Sequence, residues 1–102
     1  MAIVEISIVP IGTPTTSVSQ YVAGAVDILQ HSGLQYRLTP MGTVIEGDLR
    51  DIMAVVLRMH ESPFERNMQR VYTVIKIDDR RDTATGMDYK VLSVEKKLHQ
   101  KS

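Results

Sequence analysis

The hydrophobic period of this chain switches back and forth between two residues and about 3.6, and the order of the switches leaves few folds open. From Ala2 to Val9 it alternates, with Val4, Ile6 and Ile8 on one side and Ile3, Glu5, Ser7 and Val9 on the other. β-Branched residues at period two predict a strand. Val18, Tyr21, Val22, Ala25, Ile28 and Leu29 then fall on one stripe of an amphipathic helix. Ser17 and Gln20 have the spacing of a capping box at its start, and Gly33 is placed to end it. Alternation returns from Leu34 to Thr39, pauses at the Pro40-Met41-Gly42 turn and resumes from Thr43 to Gly47, so these two strands should pair as a hairpin. Asp48 is the expected N-cap of a second helix, with Asp51 in its first turn, a stripe of Leu49, Ile52, Met53, Val56 and Met59, and Pro63 beyond its end. A fourth strand runs from Arg70 to Asp78. After a charged, turn-rich loop, Met87, Val91, Val94 and Leu98 predict a closing helix, with Thr85 and Asp88 as its cap and Lys96, Lys97 and Lys101 at the negative pole of its dipole.

The order β-α-β-β-α-β plus a terminal helix predicts an α+β, ferredoxin-like fold, in which two helices cover one face of a four-stranded antiparallel sheet. No linker or low-complexity segment divides the chain, so residues 1–102 are expected to form a single domain. Strand parity assigns Val4, Ile6, Ile8, Leu34, Tyr36, Leu38, Ile45, Val71, Ile75 and Ile77 to the helix-covered face. The other face collects Ile3, Glu5, Ser7, Val9, Gln35, Arg37, Val44, Glu46, Tyr72, Val74 and Lys76. That mixture is too apolar for a purely solvated surface, which points to a second copy of the chain as its cover. The charged members read as cross-strand ion pairs or as part of a polar pocket for an amino-bearing or cationic ligand.

Twelve basic and twelve acidic residues cancel. The basic footprint of a nucleic-acid binder is missing, and the first strand carries none of the aromatics with which a ferredoxin-like sheet stacks RNA bases. The absence of cysteine excludes disulfides, thiolate nucleophiles and zinc–thiolate sites. No apolar run reaches the length of a membrane span, and the first ten residues do not resemble a signal peptide. A cytoplasmic location is the expectation.

The stretch "PIGTPTTSVSQY" crowds hydroxyl side chains before the first helix. A phosphate-binding loop needs more glycines and a lysine, and this stretch has one glycine and no lysine. Capping by Ser17 explains it without a ligand. His31, His60 and His99 sit near the ends of the three expected helices, without metal-ligand spacing, and no metal site is expected. No glycine-flanked nucleophilic serine is present, and the loop after the first strand lacks the arginine of an acylphosphatase-like enzyme. Arg80 and Arg81 read as a solvated turn or as an anion contact by one of them.

Several stretches together resemble one family. They are "SIVPIGTPTTSVSQYV", the hairpin "SGLQYRLTPMGTVIEGD" with Thr43, Glu46 and Gly47 closing a T-x-x-E-G pattern, "RVYTVIKIDDRRD", and the terminal "KVLSVEKKL". Over nearly the whole chain they are similar to the YkoF-like thiamine-binding proteins. That resemblance implies a homodimer or homotetramer of ferredoxin-like subunits that binds thiamine or its hydroxymethylpyrimidine moiety. It implies no catalysis and no cofactor, and a carrier, buffer or salvage role. An aminopyrimidine calls for a carboxylate, hydroxyl partners and an apolar wall, and a cationic thiazolium also favours a carboxylate. On the family's motif positions, Ser17, Ser19, Thr43 and Glu46 are the expected polar contacts, and Pro10, Ile11 and Met41 part of the wall. Two other readings stay open: a small cofactor-free enzyme on a dimeric ferredoxin-like barrel, and a ligand-free structural or regulatory assembly module.

Overall fold

The computed structural model describes residues 1–13, 19–82 and 87–100, with side chains for 1–13, 19–82 and 91–98. Its elements follow the expected order: β1 (Ala2–Pro10), α1 (Ser19–Gln30), β2 (Gln35–Thr39), β3 (Gly42–Gly47), α2 (Leu49–Glu61), a short 3-10 turn (Phe64–Arg66), β4 (Val71–Asp79) and α3 (Met87–Gln100). The sheet order is β2-β3-β1-β4, and every neighbouring pair is antiparallel. This is the ferredoxin-like arrangement. The expected caps at Ser17 and Thr85 lie outside the described residues.

Register follows from side-chain parity. Val4 stands between Ile45 and Ile77, and Ile6 between Thr43 and Ile75. Val4, Ile6 and Ile45 pack with Ala25 and Leu29 of α1 and with Ile52, Val55, Val56 and Met59 of α2 into one core. The Asp48 carboxylate caps α2, accepting from the Arg50 and Asp51 N–H groups at 3.0 and 3.4 Å. A cap of this kind contributes about 1 kcal/mol. Gly33 takes a positive φ of 79° after α1, so the backbone reverses there at no Cβ cost.

On the other face, Glu5 lies opposite Lys76, and their charged groups approach to 3.7 Å. This is the expected cross-strand pair, and an exposed pair of this kind is worth well under about 1 kcal/mol.

Three departures from the expected burial have two causes. Leu38 and Ile77 have helix-side parity, yet they are 55% and 49% exposed, and Ile75 is also open. Leu38 lies at the hairpin end of one edge strand, Ile77 at the opposite end of the other. Twist lifts diagonal corners of a sheet away from the helices laid across it. The third departure is α3, whose apolar residues Val91, Leu92, Val94 and Leu98 are all exposed. Two helices, each about 10 Å wide, already span four strands spaced about 4.8 Å apart, so a third finds little sheet of its own to cover. The radius of gyration is accordingly 15.7 Å, against about 13 Å for a compact domain of this length.

Candidate functional site

The lifted corner at Leu38 opens a cavity of about 330 Å³ on the helix side of the sheet. Four separate segments build it. Ile6, Ser7 and Ile8 of β1 form the floor, Tyr21, Val22, Ala25 and Val26 of α1 form one wall, residues 38–43 of the hairpin form the other, and Met59 of α2 closes the back. The helix contributes successive turns of its apolar stripe, so the residues that would otherwise only pack the core also face the hollow.

The hairpin wall is rigid. Thr39 Oγ1 accepts the N–H groups of Met41 and Gly42 at 3.3 and 3.1 Å and donates to the Gly42 carbonyl at 2.9 Å. Gly42 itself is needed for close approach, because a Cβ there would stand 2.9 Å from the Ile6 carbonyl oxygen. On the helix wall, the Tyr21 hydroxyl donates to Met68 Sδ at 3.3 Å. A thioether is a weak acceptor, so this bond fixes the ring while leaving the phenol oxygen able to accept.

Two properties decide what the cavity can hold. First, none of its described lining residues is charged. Second, Thr43 shares parity with Ile45, is only 8% exposed, lines the cavity, and has no hydrogen bond for its hydroxyl among the described residues. A buried hydroxyl without a partner costs about 1–3 kcal/mol, and native structures rarely keep one without a reason.

The seven residues singled out in the sequence do not all meet here. Met41 and Thr43 line the cavity. Pro10 ends β1 and Ile11 donates its N–H to the Arg70 carbonyl at 2.9 Å, beside the hairpin end of the sheet but off the lining. Ser19 opens α1, two residues before Tyr21, and Ser17 lies outside the described residues. Glu46 stands in register between Ile3 and Gln35, on the face of the sheet turned away from the cavity. Tyr21, Thr39 and Met59 escaped sequence reasoning. The signal available for Thr43 was a hydroxyl on the core-facing parity of β3.

The other candidate chemistry resolves locally. Arg80 donates to both carboxylate oxygens of Asp82 at 2.8 and 3.1 Å, and Arg81 donates twice to Asp79. Both guanidinium groups thus knit the loop after β4. His60 Nδ1 lies 2.7 Å from the Thr73 hydroxyl, and His31 Nδ1 donates to the Asp27 carbonyl at 2.8 Å.

A ferredoxin-like fold with an uncharged, mostly apolar hollow that carries a few hydroxyls has the form of a small-molecule site. The chain belongs to the thiamine-binding protein family, whose model matches residues 4–95. The UPF0045 protein YqgV of Bacillus subtilis is 49% identical over 102 residues, covering 96% of this chain and 98% of the relative. A UPF0045 protein from the glkA 3' region of Staphylococcus xylosus is 48% identical, covering 97% and 96%. The crystal structure of MJ1052 from Methanocaldococcus jannaschii superposes with a TM-score of 0.82 at 33% identity, over 92% of this chain and 95% of that one. The resemblance read from the motifs and the α+β fold are both upheld.

Proposed function

We propose that this chain binds thiamine or its hydroxymethylpyrimidine moiety in the cavity under α1, without transforming it, as a self-associating carrier, buffer or salvage protein of the cytoplasm. The observation that carries the reading is the buried Thr43 hydroxyl, without a hydrogen bond among the described residues, in an uncharged and mostly apolar hollow whose other hydroxyl-bearing residues are Ser7, Tyr21 and Thr39. A hydroxyl both donates and accepts, which suits the ring nitrogens and exocyclic amine of an aminopyrimidine. The volume of about 330 Å³ lies at the small end of ligand sites, about 300–1,000 Å³, so it takes one substituted ring. With no carboxylate on the described lining, the neutral pyrimidine goes inward and the cationic thiazolium stays at the mouth. Met41 and Thr43 are the members of the motif set assigned to this site.

Self-association is supported by two apolar surfaces left open, the outer sheet face around Val9, Tyr72 and Val74, and α3.

Calorimetric titration with thiamine, hydroxymethylpyrimidine and thiamine phosphate tests the reading. Thiamine and hydroxymethylpyrimidine should bind with similar affinity, and Thr43→Val should weaken both by about 0.5–1.5 kcal/mol, the net worth of one hydrogen bond. Glu46→Gln should leave both unchanged. A loss of affinity in Glu46→Gln alone moves the ligand to the outer face of the sheet, and no binding at millimolar concentration ends the proposal.

A further inference from the structure

Met41 stands at the apex of the β2–β3 hairpin, 82% exposed, and is one of the residues that line the cavity. The other methionines with described surroundings away from the N-terminus are placed differently: Met59 and Met68 are buried and Met53 is half-buried. The turn under Met41 is pinned by the three Thr39 hydrogen bonds, so the backbone holds this residue at the rim. Its long, unbranched side chain remains able to swing across the mouth. Met41 is therefore an apolar contact for whatever enters, and its sulfur is open to solvent, whereas the sulfur of Met59 behind it is shielded.

We propose that Met41 is a modification site, oxidised by hydroperoxides, and that its oxidation weakens binding in the cavity. The functional half of this inference rests on the cavity being a ligand site. A sulfur lone pair attacks one oxygen of hydrogen peroxide. The S–O bond forms as the O–O bond breaks, and the departing hydroxide takes the proton from the transferred oxygen and leaves as water. Sulfur loses two electrons, peroxide gains two, and the product is the sulfoxide. The new S=O group is a strong acceptor, better hydrated in open solvent than against the apolar lining residues Leu38, Val22 and Ile8. It turns to solvent and withdraws the methyl–thioether contact from the rim. The same exposure keeps the sulfoxide within reach of methionine sulfoxide reductases, which makes the change reversible.

The test treats the full chain with hydrogen peroxide and maps the added oxygen by peptide mass. It then measures the affinity of thiamine and of the neutral dye N-phenyl-1-naphthylamine before and after. Met41 should oxidise ahead of Met53, Met59 and Met68. Both ligands should then bind about five- to tenfold more weakly, the factor expected for one lost apolar contact, and reductase treatment should restore them. In Met41→Leu, whatever its starting affinity, peroxide should change neither value. Oxidised Met41 with unchanged dye affinity overturns the proposal, as does an equal peroxide effect in Met41→Leu. If neither probe binds the untreated protein, the cavity fails as a site and the proposal falls with it. If thiamine never binds while the dye responds as described, the thiamine reading fails and the role of Met41 stands.

Discussion

A threonine on the core side of a strand is a small anomaly with measurable consequences. Thr43 gives up hydration without gaining a partner among the described residues, so the empty protein carries a cost that a ligand removes. Thr43→Val keeps the shape and deletes the hydroxyl. The ligand-free variant should therefore be more stable than the parent in urea unfolding by about 1 kcal/mol, even as it binds ligand more weakly. A destabilised variant would mean that the hydroxyl is already satisfied. At the opposite end of the sheet, Asp82 illustrates an exposed group whose chemistry is set by one neighbour. Its hydrogen bonds from Arg80 hold its carboxyl below the ordinary aspartate range. A carboxylate with a lowered pKa contributes its stabilisation above the unfolded-state value and loses it as the pH falls through the folded value. NMR titration should place the Asp82 midpoint below that of an unpaired aspartate, and Arg80→Ala should return it upward.

At the level of elements, the strands and helices were legible because each carries its own period. The Asp48 cap, the Gly33 reversal and the hairpin turn announced themselves through residue type. The cavity was not legible, because its walls come from four segments and consist mostly of apolar residues indistinguishable in sequence from core. What separates Leu38 from Ile45 is sheet twist, which no local pattern records. Glu46 sits one residue from Ile45, and one residue along a strand reverses the face, so motif position alone does not say which side of the sheet a residue serves. Two glycines make opposite predictions about how elements meet. A Cβ at Gly42 would press on the Ile6 carbonyl at 2.9 Å, where two paired strands leave no room. Gly42→Ala should cost about 1–3 kcal/mol, a fall of roughly 4–8 °C in Tm per kcal/mol. A Cβ at Gly24 would meet only the tip of the Arg66 side chain, 3.3 Å away. That guanidinium can shift, and alanine favours a helix interior by roughly 0.5–1 kcal/mol, so Gly24→Ala in α1 should raise Tm. Thermal unfolding of the two variants side by side checks both signs.

The whole molecule leaves more apolar surface open than its core explains. Val9, Tyr72 and Val74 form an exposed patch on the outer sheet face, beside the Glu5–Lys76 pair. Val91, Leu92, Val94 and Leu98 leave α3 without a cover. These surfaces lie on different elements, and a formal net charge of zero sets up no long-range repulsion between copies. Two distinct apolar surfaces on one subunit allow two successive isologous contacts, one forming a dimer and the other pairing dimers. A stable contact takes about 800 Å² from each partner, which a nine-residue strand face or a fourteen-residue helix can supply with its neighbours. The proposed self-association therefore predicts a sedimentation mass well above the 11.5 kDa of one chain, and a Tm that rises with protein concentration. A carboxylate placed in either contact becomes a buried, unpaired charge, which costs several kcal/mol. Tyr72→Glu and Val94→Glu should each remove one step of assembly and stop at an intermediate mass, and the double variant should sediment as a single chain. Because both positions are exposed in the isolated subunit, each variant should keep the far-ultraviolet dichroism of the parent. Unchanged sedimentation in both single variants would place the contacts elsewhere on the molecule.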